Sequence, residues 1–328
     1  MEVKHPAVCL PDSGRRHCLL ATLAVLGSPL LTACNTPEPL LRIGSNGWPG
    51  YQFLSWAADS GVLSPQQIRL LRISSTTLAM RALSAGMLDG ACLTLDEVMT
   101  SLSEGIPLKV VAVLDVSNGA DAVLGGDSVT SLAQLAGKRI GVEGNAVGAV
   151  MLDALLQRAG LQHDQVMVVP LLLDQHEAAF ERGDVDVLVT MEPQASRLRA
   201  RGASELFSSA DIPGRIVDVL AVHEQVLGRS RRAVQALVDG HFAMLQRYSR
   251  EEQAGKAYMA SQLGVSHAEL QTIFAGMHLP GRAENQRWLT GRLDQEARNL
   301  TSVMRRAGLL PRPVTQGQLS VPDFVEGA

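Results

Sequence analysis

Two similar segments decide the fold: Gly86–Thr94, with the sequence GMLDGACLT, and Gly183–Thr190, with the sequence GDVDVLVT. Each opens with a glycine suited to the left-handed position after a helix, followed by an aspartate three residues on. An apolar run typical of a buried strand comes next, and a threonine closes it. The pair predicts one α/β unit used once in each of two lobes. The alternative is chance similarity between two helix-to-strand turns.

Around these segments, from Leu41 onward, short β-rich apolar runs alternate with helical stretches that end at glycine. This alternation predicts a largely parallel sheet with helices on both faces, an α/β fold. After about residue 225 the β signal disappears, amphipathic helices follow as scaffold, and Pro311–Ala328 is expected to be a loose tail. The predicted strands are Leu41–Gly44, Ile68–Ile73, Ala91–Leu93, Leu108–Val113, Arg139–Val142, Val166–Leu171, Val185–Val189 and Val217–Val222. The predicted helices include Thr77–Ala85, Leu95–Glu104, Val147–Ala159, Gln194–Arg201, Arg232–Arg247, Arg250–Leu263, His267–Ala275 and Leu293–Ala307.

The bulk composition is that of a folded protein. The 328 residues are 46% hydrophobic and 19% charged, which is enough for two α/β lobes or one large domain and argues against disorder. The formal net charge is −4, and the Lys and Arg residues are scattered along the chain. This pattern argues against nucleic acid as a partner.

The N-terminus has the features of an export signal. Arg15 and Arg16 precede an apolar run over residues 18–26, which is short for a membrane-spanning helix. The run leads to Leu31-Thr32-Ala33-Cys34, which resembles a bacterial lipobox. We therefore expect residues 1–33 to be a signal peptide and Cys34 to be lipidated, so that the exported chain is anchored to a membrane rather than spanning it. The alternative is a buried apolar helix with a chance cysteine.

Cysteine and histidine usage argues against a disulfide framework and against a metal site. With Cys9 and Cys18 removed and Cys34 lipidated, Cys92 remains alone, within an apparent buried strand. It is expected to be a small core residue rather than a nucleophile. The histidines are spread singly, without the paired spacing of zinc ligands.

The candidate ligand residues follow the carboxyl ends of the strands, where an open α/β sheet places its crevice. Trp48 and Tyr51 suit stacking on a ligand, with core packing as the alternative. Glu192 suits a ligand with an amine or N–H donor, although a carboxylate at a helix start also gains from the helix dipole alone. Asp115 and Asp121 are interpreted as turn formers. The predicted ligand-binding set is Trp48, Tyr51, Ser75, Thr76, Asp96, Ser117, Asn118, Asn145 and Glu192.

A succession of motifs resembles the nitrate, taurine and aliphatic-sulfonate branch of ABC-transporter substrate-binding proteins, which also includes thiamine-pyrimidine binders. The motifs are Trp48-Pro49-Gly50-Tyr51, Ser117-Asn118-Gly119-Ala120-Asp121, Val142-Glu143-Gly144, Glu192-Pro193, and Ile212-Pro213-Gly214 followed by Val217-Asp218-Val219-Leu220. The resemblance implies a type II periplasmic-binding-protein fold, with residues 35–120 and 219–328 in one lobe and 121–218 in the inserted lobe. It also implies an ABC permease with its ATPase as partner and closure of the lobes around a solute.

The predicted function is extracytoplasmic delivery of a small polar organic solute to an ABC importer, without catalysis and without a cofactor. Anion-binding members of the family tend to use basic side chains or helix N-terminal amides. The candidate loops contain no Lys or Arg, which argues against nitrate or a simple sulfonate. A cofactor-free enzyme and a sensory protein on the same fold are the alternatives, and sequence alone leaves them open.

Overall fold

The computed structural model describes residues 38–314, 317 and 319–326, together with Met1. Residues Glu38–Ala328 form one compact unit. The predicted signal peptide and the predicted lipidation site at Cys34 lie outside the described residues, so both stay predictions. Within the described part of the chain, none of the helices is long and apolar enough to cross a membrane.

The structure contains two separate β-sheets. The first has six strands in the order β11-β4-β10-β3-β1-β2, in which β1 pairs in parallel with β2 and β3, whereas β10 runs antiparallel to β3 and β4. The second has five strands in the order β7-β6-β8-β5-β9, in which β6 pairs in parallel with β7 and β8, and β5 runs antiparallel to β8 and β9. The strands are β1 Leu41–Ser45, β2 Ile68–Arg72, β3 Gly90–Thr94, β4 Leu108–Ser117, β5 Asp121–Gly125, β6 Arg139–Val142, β7 Met167–Pro170, β8 Val187–Met191, β9 Ser204–Ser208, β10 Val217–His223 and β11 Met277–His278.

Helices alternate with the strands of both sheets, and after β10 the chain is mostly helical, interrupted by the short strand β11. Their starts follow local capping signals: Ser75 accepts from the Leu78 N–H, and Asn145 accepts from the Gly148 N–H. The helices are α1 Gln52–Asp59, α2 Thr76–Ser84, α3 Leu95–Glu104, α4 Ala146–Ala159, α5 His176–Glu181, α6 Gln194–Ala200, α7 Val226–Arg229, α8 Arg231–Arg250, α9 Glu252–Leu263, α10 His267–Ala275, α11 Arg282–Arg287 and α12 Leu293–Arg306. A π-helical stretch, Trp288–Arg292, joins α11 to α12.

The repeated α/β unit predicted from the two opening segments is confirmed. Asp89 binds the backbone N–H of Arg42 at 2.9 Å and its Nε at 2.8 Å. In the second sheet Asp186 binds the backbone N–H of Arg139 at 2.9 Å and its Nε at 3.1 Å. In both cases the aspartate lies just before a central strand and ties it to the strand beside it. The two-lobed α/β architecture predicted from the sequence is therefore present.

Two chain crossings join the sheets, and a small hydrogen-bond network joins the crossings. The Ser117 hydroxyl lies 2.8 Å from the Ser209 hydroxyl, and the Ser209 oxygen accepts from the Gly119 N–H at 2.6 Å. The Asp121 N–H donates back to the Ser117 oxygen. Gly119 has a φ of 121°, a backbone conformation that favours glycine, which explains why a glycine occupies this turn. These bonds make the 117–121 crossing a candidate hinge.

Several expectations need correction. The sheets are mixed rather than largely parallel, and β4 continues past Val113 to Ser117. The tail is not loose throughout: Phe324 is fully buried, and β4 residue Val110 exchanges backbone hydrogen bonds with Leu319 and Val321. The predicted lobe boundary after residue 218 falls inside β10, which belongs to the six-stranded sheet. The division into 35–120 plus 219–328 and 121–218 therefore stays a prediction in its details.

Candidate functional site

A small polar cavity lies between the two sheets. Its walls come from both: Thr94 and Asp218 belong to the first sheet, and Asp121 and Met191 belong to the second. Its volume is about 40 Å³, room for roughly three water molecules. A solute of ordinary size therefore enters only if the sheets move apart. The lining residues are Asn46, Trp48, Tyr51, Thr76, Thr94, Glu97, Asp121, Glu143, Asn145, Val147, Met191, Ile216 and Asp218.

The two aromatic side chains of this lining are fixed by carboxylates. A proline after Trp48 starts a single turn of 3₁₀-helix, Pro49–Tyr51, which places both rings on the cavity side of β1. The Trp48 Nε1–H donates to Asp115 at 2.9 Å, and the Tyr51 hydroxyl donates to Asp218. Both side chains are 2% exposed, so each contributes to the core while lining the cavity. Stacking and core packing are thus compatible at these positions.

Two buried aspartates lie side by side on adjacent strands. In the antiparallel pairing of β10 with β4, Asp218 lies opposite Asp115, and like charges in this arrangement destabilise each other. Burial raises the pKa of Asp115 to about 7, and the nearby Asp121 charge adds to the effect. Burial and the Asp115 charge raise the pKa of Asp218 well above its ordinary value. In both, one carboxylate oxygen has no hydrogen-bond partner among the described residues.

Asp121 and Asp96 add two further buried carboxyls to this acidic region. Burial raises the pKa of Asp121 to about 7, reinforced by the charges of Asp96 and Glu192. Burial raises the pKa of Asp96 to about 6. Within the described chain, one oxygen of Asp121 has no hydrogen-bond partner, whereas Thr94 and the N–H groups at the start of α3 partly offset the burial of Asp96. Buried carboxyls are costly to ionise, so this cluster keeps its protons to a higher pH than free carboxyls do, and a bound cation would favour their release.

Three hydrogen bonds cross the cleft and hold the sheets together. Glu143, which follows β6, accepts from both the backbone N–H and the hydroxyl of Thr77 in α2. Asn145, at the start of α4, donates from Nδ2 to Glu97 of α3 at 3.2 Å. Because each bond joins an element of one sheet layer to an element of the other, the structure corresponds to a closed arrangement of the cleft.

The cleft is not balanced by basic side chains. None of the described residues that line the cavity is Lys or Arg. An adjoining cavity shares Asp121, Glu143 and Asn145 and adds His176, whose pKa is lowered to about 4 by burial, so its imidazole is neutral at pH 7. Nothing in the described part of the chain forms a cluster of three or more His, Cys, Asp or Glu side chains that could hold a metal.

The structure brings four of the nine predicted ligand residues to the cavity: Trp48, Tyr51, Thr76 and Asn145. The remaining five lie elsewhere. The Ser75 side chain caps α2, Asp96 is buried behind the lining, and Ser117 belongs to the crossing described above. Asn118 is exposed at the same crossing. Glu192 pairs with Arg199 at 2.6 Å and accepts from the Ser196 N–H, so its carboxylate already has partners.

Sequence reasoning missed the acidic lining residues Glu97, Asp121, Glu143 and Asp218. The interpretation of Asp115 and Asp121 as turn formers was wrong, because both lie in strands and are buried. Glu97 completes a capping box at the start of α3, where its carboxylate accepts from the Thr94 N–H at 2.9 Å. It also faces the cavity, a second role that a local pattern does not indicate. A sequence signal existed only for Asp218, an aspartate inside the predicted apolar strand Val217–Val222; the other three lie outside the predicted strands.

Comparison with known proteins gives one family match. A family model described as the NMT1-like family matches residues 35–264, more than half of the chain. A search of curated protein sequences finds no significant match.

Comparison with solved structures shows the fold. The alkanesulfonate-binding protein SsuA from Xanthomonas axonopodis pv. citri, bound to MOPS, is 18% identical with a TM-score of 0.74, over 87% of this chain and 99% of that one. The ligand-binding component of an ABC-type import system from Staphylococcus aureus, with zinc bound, is 16% identical with a TM-score of 0.73, over 88% and 98%. The desulfurization enzyme DSZB is 21% identical with a TM-score of 0.64, over 88% and 98%. The fold is therefore that of periplasmic binding proteins, and it carries both binding proteins and an enzyme.

Proposed function

Because the chain belongs to the NMT1-like family, we propose that it is the solute-binding component of an ABC importer, which captures a small polar organic molecule between its two lobes. The observation that carries the proposal is the closed polar cavity, walled by residues of both sheets. A site shared by two lobes gains its full set of contacts only on closure, so solute binding shifts the chain toward the closed form that a permease would recognise.

The solved relatives support the same role. Two of the structures named above are described as a ligand-binding component of an import system and as an alkanesulfonate-binding protein. We propose that the chain is likewise exported, acts outside the cytoplasm, and is held at a membrane by a lipid on Cys34. The proposed lobes are residues 35–120 with 219–328 and residues 121–218, with the crossing at 117–121 as one hinge strand.

Catalysis is the second candidate, favoured by the fold shared with DSZB. A cysteine nucleophile would have to be a reactive thiolate, but Cys92, a free cysteine within the described residues, is 2% exposed. Burial raises the pKa of its thiol far above the ordinary value. We therefore propose a non-enzymatic role, with no cofactor. A sensory role on the same fold would use the same cavity and would differ only in the partner of the closed form.

The test is a thermal-shift screen of the full chain, purified in detergent, against pyrimidines, aromatic acids, sulfonates, nitrate, amines and amino acids. A solute at 100 times its Kd adds about 2.7 kcal/mol to the free energy of unfolding, which raises the melting temperature measurably. One responding class supports the proposal, and mass spectrometry should then recover that solute unchanged after incubation. Conversion of the solute would establish catalysis instead, and no response from any class would contradict solute binding.

A further inference from the structure

On the premise of the proposed solute-binding function, we infer that the ligand of the cleft is a small organic cation with N–H donors, held by the carboxylates of Asp121 and Asp218. These residues lie on opposite sheets and both line the cavity, at 4% and 2% exposure. Each has one carboxylate oxygen that accepts from no donor group of the described residues, and Asp218 can bond to Asp115 only while one of those two carboxyls keeps its proton. A ligand between them would therefore need two hydrogen-bond donors, one directed to each sheet.

The other polar groups around the cavity leave few donors for an anion. The Trp48 and Tyr51 donors are already directed to Asp115 and Asp218. The Asn145 amide donates to Glu97. Among the described lining atoms without a partner are one carboxylate oxygen each of Asp121 and Asp218 and the Thr94 hydroxyl. The hydroxyl can donate or accept, and the two carboxylate oxygens favour a ligand that donates.

The helix N-termini that could hold an anion are occupied by the chain itself. A helix start attracts anions through its free N–H groups and its dipole. At α2, the Thr77 N–H is taken by the Glu143 carboxylate. At α3, the Thr94 N–H is taken by Glu97, and at α4 the Gly148 N–H is taken by the Asn145 side-chain oxygen. A sulfonate would therefore meet protein carboxylates at two of the three places where backbone amides could bind it.

The charge balance of the cleft also favours a cationic ligand. Glu192 is neutralised by Arg199, but the salt bridges of the described residues include none to Glu97, Asp121, Glu143 or Asp218. Burial raises the pKa of Asp121 to about 7 and that of Asp218 well above its ordinary value, as expected for carboxyls that lack a counter-charge. A bound cation would supply that charge and allow both groups to ionise. A metal ion is the less suitable counter-charge, since no described cluster has the required set of ligands.

The experiment compares three molecules of nearly equal size and different charge: methylguanidinium, N-methylurea and methanesulfonate. The melting temperature of the full chain, purified in detergent, is measured with each of them at about 20 mM, in EDTA and at constant ionic strength. This concentration exceeds the ~1 mM Kd that is reasonable for so small a fragment. Methylguanidinium should raise the melting temperature, methylurea should raise it less, and methanesulfonate should not raise it.

Two variants connect the response to the site. Asp121→Asn and Asp218→Asn should each reduce the affinity for methylguanidinium at least tenfold. The matched control Asp127→Asn, at an exposed residue of the inserted lobe, should bind as the parent does. If either site variant fails to fold, the other still tests the inference, and the neutral amide removes the cost of a buried charge that has no counter-charge.

The outcomes separate the inference from the function on which it rests. Stabilisation by methanesulfonate but not by methylguanidinium would overturn the cation and leave solute binding standing. Stabilisation by Zn²⁺ or Ca²⁺ in a parallel experiment without EDTA, but not by methylguanidinium, would overturn it in favour of a metal ion. If no fragment and none of the solute classes in the wider screen stabilises the chain, both the cation and the solute-binding function are overturned.

Discussion

Asp121→Asn should make the unliganded protein more stable, and more so as the pH rises. The pKa of Asp121 is raised from 3.8 to about 7 in the folded chain. Below pH 3.8 the carboxyl is protonated in both states. As the pH rises toward 7, the unfolded chain loses this proton while the folded chain keeps it, so the free energy of unfolding falls.

The magnitude follows from the same values. A rise in pKa from 3.8 to about 7 is equivalent to about 4 kcal/mol. Neighbouring carboxyls face Asp121, with Asp96 and Glu192 contributing directly and Asp218 and Glu143 lining the same cavity. Because these carboxyls share the repulsion, we expect the variant to recover about 2–4 kcal/mol relative to the parent between about pH 4 and pH 8.

The assay is urea unfolding of both proteins across this range, followed by tryptophan fluorescence. The histidines His176 and His241, with pKa values lowered to about 4 and about 3, change stability in the opposite direction as the pH rises from about 4 to 6.5. They are present in both proteins, so they cancel in the difference. Asp127→Asn serves as control and should show no such trend. A difference between Asp121→Asn and the parent that stays constant with pH would refute the reasoning.

Three further predictions concern other residues of the cleft and its support. Cys92 should resist a thiol reagent until denaturant is added, as read by peptide mass spectrometry, since it is buried; rapid labelling of the native chain would contradict this. Gly50→Ala should lower the free energy of unfolding by about 1–3 kcal/mol in urea titrations, because its Cβ would lie 1.8 Å from Asp115 Oδ2; an unchanged stability would show that the aspartate moves freely. Glu143→Ala removes the bond to Thr77 across the cleft and should raise the radius of gyration above the about 20 Å of a compact chain of this length, measured by X-ray scattering; an unchanged radius would mean that other contacts hold the closed form.

The helices and strands with strong local signals were predictable from the sequence. The predicted bounds of Leu95–Glu104, His267–Ala275 and Arg139–Val142 coincide with the structure. The first two carry a capping box, and Gly105 follows the first in the left-handed conformation. These features depend on residues within a few positions of one another, so the local sequence alone predicts where the elements begin and end.

The elements that escaped prediction depend on distant partners. β5 begins with Asp121 and β9 is the polar stretch SELFS, so neither has a strong strand pattern, and they pair with each other in the second sheet. Helix α1 follows Trp48-Pro49-Gly50-Tyr51, which reads as a loop because proline and glycine dominate it. It packs against α8, far along the chain, and tertiary packing of this kind stabilises a short helix.

About half of the candidate site was predictable from the sequence, because only some of its residues carry a local signal. Trp48 and Asn145 follow strands and were found by their position at the strand ends. Asp115 and Asp218 become neighbours only when β4 and β10 pair, and nothing local to either residue indicates the other. The acidity of the cleft is therefore a property of the tertiary structure, although the absence of basic residues from the loops already argued against an anionic ligand.

Calorimetric titration of the full chain with methylguanidinium tests the acidic cleft most directly, at about pH 6.5 in two buffers of different ionisation enthalpy. Carboxyls whose pKa values are raised, to about 7 for Asp115 and Asp121, hold protons at this pH in the unliganded cleft. A bound cation should expel these protons into the buffer, so the measured binding enthalpy should differ between the two buffers in proportion to their ionisation enthalpies. Binding with the same enthalpy in both buffers, or binding of methanesulfonate in place of methylguanidinium, would contradict a cation held by the cleft carboxylates.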